Sequence, residues 1–208
     1  MMATAAAKPS SPAKAKAWEW EGKVVSPVPE ATPDEAWALL SDFLAFHRWH
    51  PRVAACRLAS GTPSSPGCVR YCEGTTTTTP SSSGEAAAPP PDWAHETLLE
   101  YDAERRFFRY EMNDNNMGFG LFFATFRVAT TAAGAGDDDA EGCELRWEFE
   151  CEPVRGTARE ALVARLQAGL DGMAARVRDH VLAARAAVVV GMEGAGGEPL
   201  KLDNSIAV

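Results

Sequence analysis

The sequence lacks an excess of positive charge and any long apolar run. Its 208 residues contain 20 Lys and Arg against 29 Asp and Glu, which gives a formal net charge of −9. A nucleic-acid-binding domain is expected to carry a basic stripe, so this balance argues against nucleic acid as a partner. No apolar stretch is long enough for a transmembrane helix, and membrane insertion is not expected.

The N-terminal segment 1–17 lacks the apolar centre of a secretory signal peptide. Lys8, Pro9 and Pro12 interrupt it, so a cytoplasmic location is the expectation. The same segment has no acidic residue and is rich in Ala and Ser. A short plastid transit peptide is therefore the alternative interpretation.

Metal-binding and disulfide patterns are also missing. The cysteines are odd in number and show no CxxC spacing, so reduced packing thiols are favoured over a disulfide framework or a zinc site. They are Cys56, Cys68, Cys72, Cys143 and Cys151. His47 and His50 have the spacing of two metal ligands on a helix, but no third ligand is apparent. Surface or capping histidines are the favoured interpretation, and no metal is predicted.

Signatures of common catalytic and nucleotide-binding sites are absent. The chain contains no GxSxG nucleophile elbow, HExxH, P-loop or Rossmann glycine pattern. Hydrolysis by a serine nucleophile, nucleotide hydrolysis and nicotinamide chemistry therefore have no support. No cofactor is predicted.

Low-complexity composition marks four segments as unlike a folded core. Their sequences offer little apolar surface to offset the entropy of ordering them, so we expect disorder there. They are 1–17, the insert 75–91, the acidic loop 131–142 and the tail 189–208. What remains between 18 and 188 predicts a single domain.

The first part of that domain predicts one strand followed by two short helices. Apolar and charged residues alternate over 18–28, which is typical of a half-buried strand. Thr32 precedes Pro33, and Glu35 follows three residues after the threonine, which together form a capping box at a helix start. Ser41 is expected to cap a second short helix that Pro51 ends.

The middle of the chain predicts a run of antiparallel strands, and its end predicts one long helix. The clearest strand is 143–153, where apolar and charged side chains alternate strictly. The helix is expected from Thr157 to about Val188, with an apolar stripe down one face. Short connections favour an antiparallel sheet, and only this helix is long enough to cover the sheet's apolar face. The sequence therefore predicts an α+β protein.

Two glycines interrupt the predicted long helix. Gly169 and Gly172 each cost roughly 1 kcal/mol relative to alanine in a helix interior. They either make room for a ligand or a close backbone, or are simply tolerated in a well-packed helix, and the sequence does not separate these interpretations.

Two charged residues fall at inward positions of predicted strands. Arg70 shares its parity with Cys68 and Cys72, and Glu96 shares its parity with Leu98. A buried charge alone is very costly, so an inward arginine and an inward carboxylate are expected to pair. The alternative is a parity error of one residue, which would return that side chain to solvent.

Three sequence segments carry a resemblance to a known family. The motifs W-x-W-x-G-K-V, P-D-E-A-W-A-L-L-S-D-F and G-C-V-R-Y are similar to those of the lachrymatory factor synthase-like proteins of plants. These belong to the helix-grip superfamily of START lipid-transfer domains and polyketide cyclases. The resemblance runs from about Trp20 to about Val181. It implies a helix-grip fold, in which a curved antiparallel sheet wraps a long C-terminal helix and two short helices follow the first strand.

The same resemblance implies roles for individual residues. The family's catalytic arginine and glutamate fall on Arg70 and Glu96, and its functional tyrosine falls on Phe122. A phenyl ring cannot donate the phenolic hydrogen bond, so this substitution puts synthase activity in doubt. The resemblance also implies an internal cavity for a small apolar ligand. We expect the cavity to be lined by Phe122, Tyr110, Phe108, Phe126, Trp147, Leu98, Leu166 and Met173, although for the aromatic side chains ordinary core packing is the favoured interpretation.

Three functions are compatible with these expectations. The leading hypothesis is binding of a small hydrophobic or amphipathic molecule, with Arg70 and Glu96 as its polar anchor. The alternative is a cofactor-free isomerase of a sulfenic acid or a related reactive molecule, in which Glu96 moves a proton and Arg70 stabilises an oxyanion. A ligand-gated interaction protein is the third. The sequence leaves the ligand and the oligomeric state open.

Overall fold

The described residues form one sheet of seven strands, all paired antiparallel. The computed structural model describes residues 18–75, 90–131 and 142–194, with side chains described as far as 188. The spatial order of the strands is β1-β7-β6-β5-β4-β3-β2. The strands are β1 (Trp20–Val28), β2 (Val53–Ser60), β3 (Val69–Gly74), β4 (Trp93–Asp102), β5 (Phe107–Asn115), β6 (Phe122–Thr130) and β7 (Cys143–Cys151).

The helices complete the architecture expected from the sequence. Helix α1 (Pro33–Leu40), a 3-10 turn (Phe43–Ala45) and helix α2 (Phe46–Trp49) follow β1, and helix α3 (Arg159–Gly194) closes the described chain. Register shifts between β4 and β5 and between β2 and β3 mark bulges, which bend a sheet. The helix-grip prediction is thereby confirmed. No helix in the described ranges is long and apolar enough to cross a membrane.

Helix α3 packs its apolar stripe on the concave face of the sheet. The fully buried members of the stripe are Leu162, Leu170, Met173, Val177 and Val181. Leu166 is only half-buried. Burying each such side chain contributes about 1.5–3 kcal/mol, so this stripe is a main support of the fold. The helix starts at Arg159 and runs to Gly194, beyond the predicted end near Val188.

The caps of the short helices agree with the sequence in one case and differ in the other. Thr32 and Glu35 form the predicted reciprocal capping box at α1. The expected cap at Ser41 is wrong, because Ser41 ends α1 and its N–H bonds back to the Trp37 carbonyl. Asp42 caps the following 3-10 turn instead, and its Oδ1 accepts from the Leu44 N–H at 2.9 Å.

The two glycines of α3 make room for the loop that follows α2. A Cβ atom at Gly169 would lie 2.5 Å from Nε2 of His50, and one at Gly172 would lie 2.5 Å from Cγ of Pro51. These separations are far below van der Waals contact, so the loop approaches only because both side chains are absent. The glycines therefore make room, but for the side chains of His50 and Pro51 rather than for a close backbone.

The prediction of reduced thiols is wrong for two of the five cysteines. Cys56 and Cys72 face each other across β2 and β3 with their Cα atoms 4.3 Å apart, and they form a disulfide. The sequence could not reveal this pair, because it does not show which residues of neighbouring strands lie opposite each other. Cys68, Cys143 and Cys151 are free and buried, as packing thiols are expected to be.

The four low-complexity segments lie almost entirely outside the described residues. Only their edges are described: Thr75, Pro90, Pro91, Thr131, Gly142 and the last turns of α3 up to Gly194. The disorder predicted for them stays a prediction.

Candidate functional site

A buried ion pair lies on the concave face of the sheet. Arg70 of β3 and Glu96 of β4 are direct partners in the strand register, and their side chains leave the same face. The two residues are 1% and 6% exposed. Arg70 Nε donates to Glu96 Oε2 at 2.6 Å. The structure therefore brings together the two charged residues that strand parity placed inside.

Aromatic rings and one carbonyl group complete the surroundings of Arg70. Its Nη1 donates to the Phe43 carbonyl at 2.5 Å, and its guanidinium carbon lies 3.9 Å and 4.5 Å from the ring centres of Phe43 and Phe46. A desolvated cation on a ring face gains about 2 kcal/mol or more, which offsets part of its lost hydration. Nη2 has no hydrogen-bond partner among the described residues.

A cavity of about 310 Å³ lies between the sheet and α3, with Glu96 in its wall. Of the predicted lining residues, Phe122, Tyr110, Trp147 and Leu166 line it. Sequence reasoning missed most of the others, which come from α2 and the loop after it, the ends of β3 and β4, β5, the segment before β6, and α3. The missed side chains include Phe46, His50, Arg52, Val53, Asp92, Met112, Met117, Phe119, Leu162 and Arg165.

Arg70 itself does not line this cavity. It borders a second, much smaller space of about 10 Å³, together with Phe108, Phe126 and Met173. A space of that size holds one water at most, so these three residues are packing residues rather than lining residues of the larger cavity. Leu98 lines neither space and is fully buried. These four predicted lining residues do not border the larger cavity, because strand parity separates inside from outside but not core from cavity.

Tyr110 and Trp147 stand between the two spaces and border both. Trp147 Nε1 donates to the Tyr110 hydroxyl oxygen at 3.1 Å, which leaves the tyrosine O–H free to donate. Burial and the nearby Glu96 carboxylate raise the pKa of Tyr110 well above its ordinary value of 10, so the phenol stays protonated. Phe122 presents only carbon to the cavity.

His50 is a further polar residue of the cavity wall. It is buried rather than on the surface, and it is the C-cap of α2, where its N–H donates to the Phe46 carbonyl, so the capping interpretation holds and the surface interpretation is wrong. It is 8% exposed, and its Nδ1 accepts a hydrogen bond from the backbone N–H of Arg52 at 3.3 Å. Within the described ranges no group of His, Cys, Asp and Glu side chains could hold a metal ion. Sequence patterns gave no signal, because His50 lies in a loop without periodicity.

Burial lowers the pKa of His50 from its ordinary value of 6.5 to about 3. The positive charges of Arg52, Arg165, Arg70 and Arg176 add to this effect. Between these two pKa values the unfolded chain binds a proton that the folded protein does not bind. Stability is therefore lost as the pH falls below 6.5.

We expect His50→Asn to remove part of the acid sensitivity of folding. His50 should account for about 2 kcal/mol of the stability that the wild type loses between pH 7 and pH 5. Asparagine keeps an acceptor for the Arg52 N–H and has no ionisable group. Urea unfolding of both proteins at the two pH values measures the difference. Equal losses in both would contradict the assignment, and His180→Asn, which changes a more exposed histidine of α3, serves as the control.

Comparisons with a family model and with solved structures agree with the fold described above. A family model described as polyketide cyclase / dehydrase and lipid transport matches residues 21–178. The solved structure of the protein XoxI from Bacillus cereus is 16% identical, with 78% of this chain and 95% of that chain covered and a TM-score of 0.56. A solution structure from Thermobifida fusca is 25% identical, with 76% and 92% covered and a TM-score of 0.54. At this level of identity the XoxI likeness concerns the fold alone.

Proposed function

The chain belongs to the polyketide cyclase / dehydrase and lipid transport family, and from that premise we propose that it binds a small hydrophobic or amphipathic molecule between the sheet and α3. One observation carries the proposal: a cavity of about 310 Å³ has walls of apolar and aromatic side chains interspersed with polar groups, among them a buried carboxylate. Ligand pockets in proteins combine such walls with a few fixed polar groups, and this volume lies at the small end of their range.

The ion pair provides the polar anchor in this proposal. Arg70 donates a hydrogen bond to one oxygen of Glu96. This bond holds the carboxylate in one orientation at the wall of the cavity. Glu96 Oε1 has no protein donor among the described hydrogen bonds, and it is available to a hydroxyl or amine of the ligand. Arg70 does not line the cavity, and it acts as a positioning residue for the Glu96 carboxylate.

We expect the wild type to bind Nile red, a neutral apolar dye, saturably at micromolar concentration, and Leu166→Trp to abolish this binding. The larger ring at a half-buried position of the cavity wall takes up the space that the dye needs. Fluorescence titration measures binding, and urea unfolding checks that the variant is folded.

The matched control is Leu182→Trp, which makes the same change at a leucine of α3 that is 44% exposed. It should bind the dye as the wild type does. Absence of saturable binding by the wild type would overturn the proposal, and so would undiminished binding by folded Leu166→Trp.

A second candidate is the cofactor-free isomerisation of an alkenyl sulfenic acid, as the likeness to lachrymatory factor synthase-like proteins suggests. The observation in its favour is the carboxylate of Glu96 on the cavity wall, with the Tyr110 hydroxyl on the same wall. In this reaction the sulfenic O–H loses its proton and an alkenyl carbon gains one, so a single carboxylate can accept and return it. The phenyl ring at Phe122 offers no hydrogen bond to the substrate.

A further inference from the structure

The mouth of the cavity carries two arginines on one side. Arg52 follows α2 and Arg165 lies on α3, and both line the cavity. Arg52 Nη2 donates to the backbone carbonyl of Arg165 at 3.0 Å. This hydrogen bond holds the Arg52 guanidinium against the helix, at the rim of the apolar space.

Only one of these two cations has a carboxylate partner. Arg165 Nη2 lies 2.9 Å from Asp92 Oδ2, whereas no ion pair of Arg52 occurs within 18–75, 90–131 and 142–188. Glu73 also borders the mouth, and it accepts a hydrogen bond from the Tyr71 hydroxyl at 3.0 Å. Arg52 thus has no carboxylate at ion-pair distance, although Asp92 and Glu73 line the same cavity.

Burial and the neighbouring Arg165 both lower the pKa of Arg52, and Asp92 opposes them. Two close positive charges repel each other, and an anion between them would relieve that cost. The immediate surroundings of Arg52 therefore favour a negatively charged group, whereas the carboxylate of Glu96 lies farther along the cavity wall.

His50 adds a directed donor to the same wall. Because its Nδ1 accepts from the Arg52 N–H, the neutral ring carries its proton on Nε2. A ligand group near both Arg52 and His50 meets hydrogen-bond donors, which suits a group made of acceptor oxygens.

We propose that the ligand of this cavity is an apolar molecule ending in a carboxylate, and that Arg52 binds the carboxylate at the mouth with His50 as a second donor. This inference rests on the proposed ligand-binding function and narrows the class of ligand. The apolar part of the molecule extends inward past Leu166 and Phe122.

The test is displacement of bound Nile red at neutral pH by three molecules with the same chain, namely decanoic acid, decanol and decyltrimethylammonium. For the wild type we expect the acid to displace the dye at a concentration about tenfold lower than the alcohol, because the carboxylate forms charge-assisted hydrogen bonds with Arg52 that a neutral hydroxyl does not form. The ammonium compound should be the weakest competitor.

Three variants then test whether Arg52 causes the preference for the acid over the alcohol. Arg52→Gln should bring the acid to the level of the alcohol and leave the alcohol unchanged, while Arg52→Lys keeps most of the preference. Arg178→Gln removes a positive charge from α3 outside the cavity, and the wild-type order should persist.

Three outcomes would overturn the inference: equal displacement by acid and alcohol in the wild type, an equal loss for both in Arg52→Gln, or an unchanged preference in that variant. In each of these cases Nile red still binds, so ligand binding itself survives. Failure of the wild type to bind the dye at all would instead remove the proposed function.

Discussion

Arg70→Met is expected to lower the free energy of unfolding by about 3–5 kcal/mol. The variant leaves the Glu96 carboxylate in a site that is 6% exposed without its cation. It also removes the hydrogen bond to the Phe43 carbonyl, so that acceptor loses its buried donor. Breaking one side of a buried pair costs more than the pair itself contributes. Urea unfolding measures the change.

Two further variants show whether the cost comes from the unpaired carboxylate. Adding Glu96→Gln to Arg70→Met should recover at least half of the lost stability, because the remaining group is then neutral. Arg109→Met removes one partner of a half-exposed ion pair with Glu150 and should cost no more than about 1 kcal/mol. A cost for Arg70→Met as small as that for Arg109→Met would refute the energetic role of the buried pair.

The second large effect is expected in catalysis, under the isomerase candidate. Turnover of an alkenyl sulfenic acid by the wild type should fall by about 10²–10⁴-fold in Glu96→Gln, because the amide cannot accept and return a proton. The amide oxygen can still accept from Arg70, but the buried guanidinium loses its counterion and the variant is expected to be less stable than the wild type. Urea unfolding and Nile red binding therefore check that the variant is folded and binds under the assay conditions. Stopped-flow mixing with freshly generated substrate measures the rate.

Glu100→Gln is the matched control, since it changes an exposed carboxylate on the same strand, and it should retain full turnover. Wild-type turnover that persists in Glu96→Gln would exclude Glu96 as the group that moves the proton. A wild type that binds Nile red and leaves the sulfenic acid unchanged would refute the isomerase and leave binding as the function.

Periodic elements were predictable from the sequence, and the positions of their side chains followed from the same patterns. The period of two along β3 and β4 placed Arg70 and Glu96 inside, and the stripe of α3 identified its buried face. In both cases the order of apolar residues follows the periodicity of the strand or helix backbone.

Features that depend on how elements meet were not predictable. The disulfide depends on the β2–β3 register, and the places of His50 and Arg52 depend on a loop that approaches α3 at Gly169 and Gly172. For the same reason, the strand pattern predicted Leu98 and Phe108 in the cavity wall, although neither borders the larger cavity. Their inward direction is a property of one strand, whereas a cavity is a property of the space between elements.

The direct opposition of Arg70 and Glu96 also bears on how β3 and β4 find each other during folding. The connection from Gly74 to Trp93 is too long for a tight turn to dictate the pairing. Sliding one strand by a single residue would turn one of the two charges outward and leave the other buried without its counterion. That penalty disfavours the misaligned sheet, so the pair selects one arrangement of the β3–β4 ladder whether or not any ligand is bound.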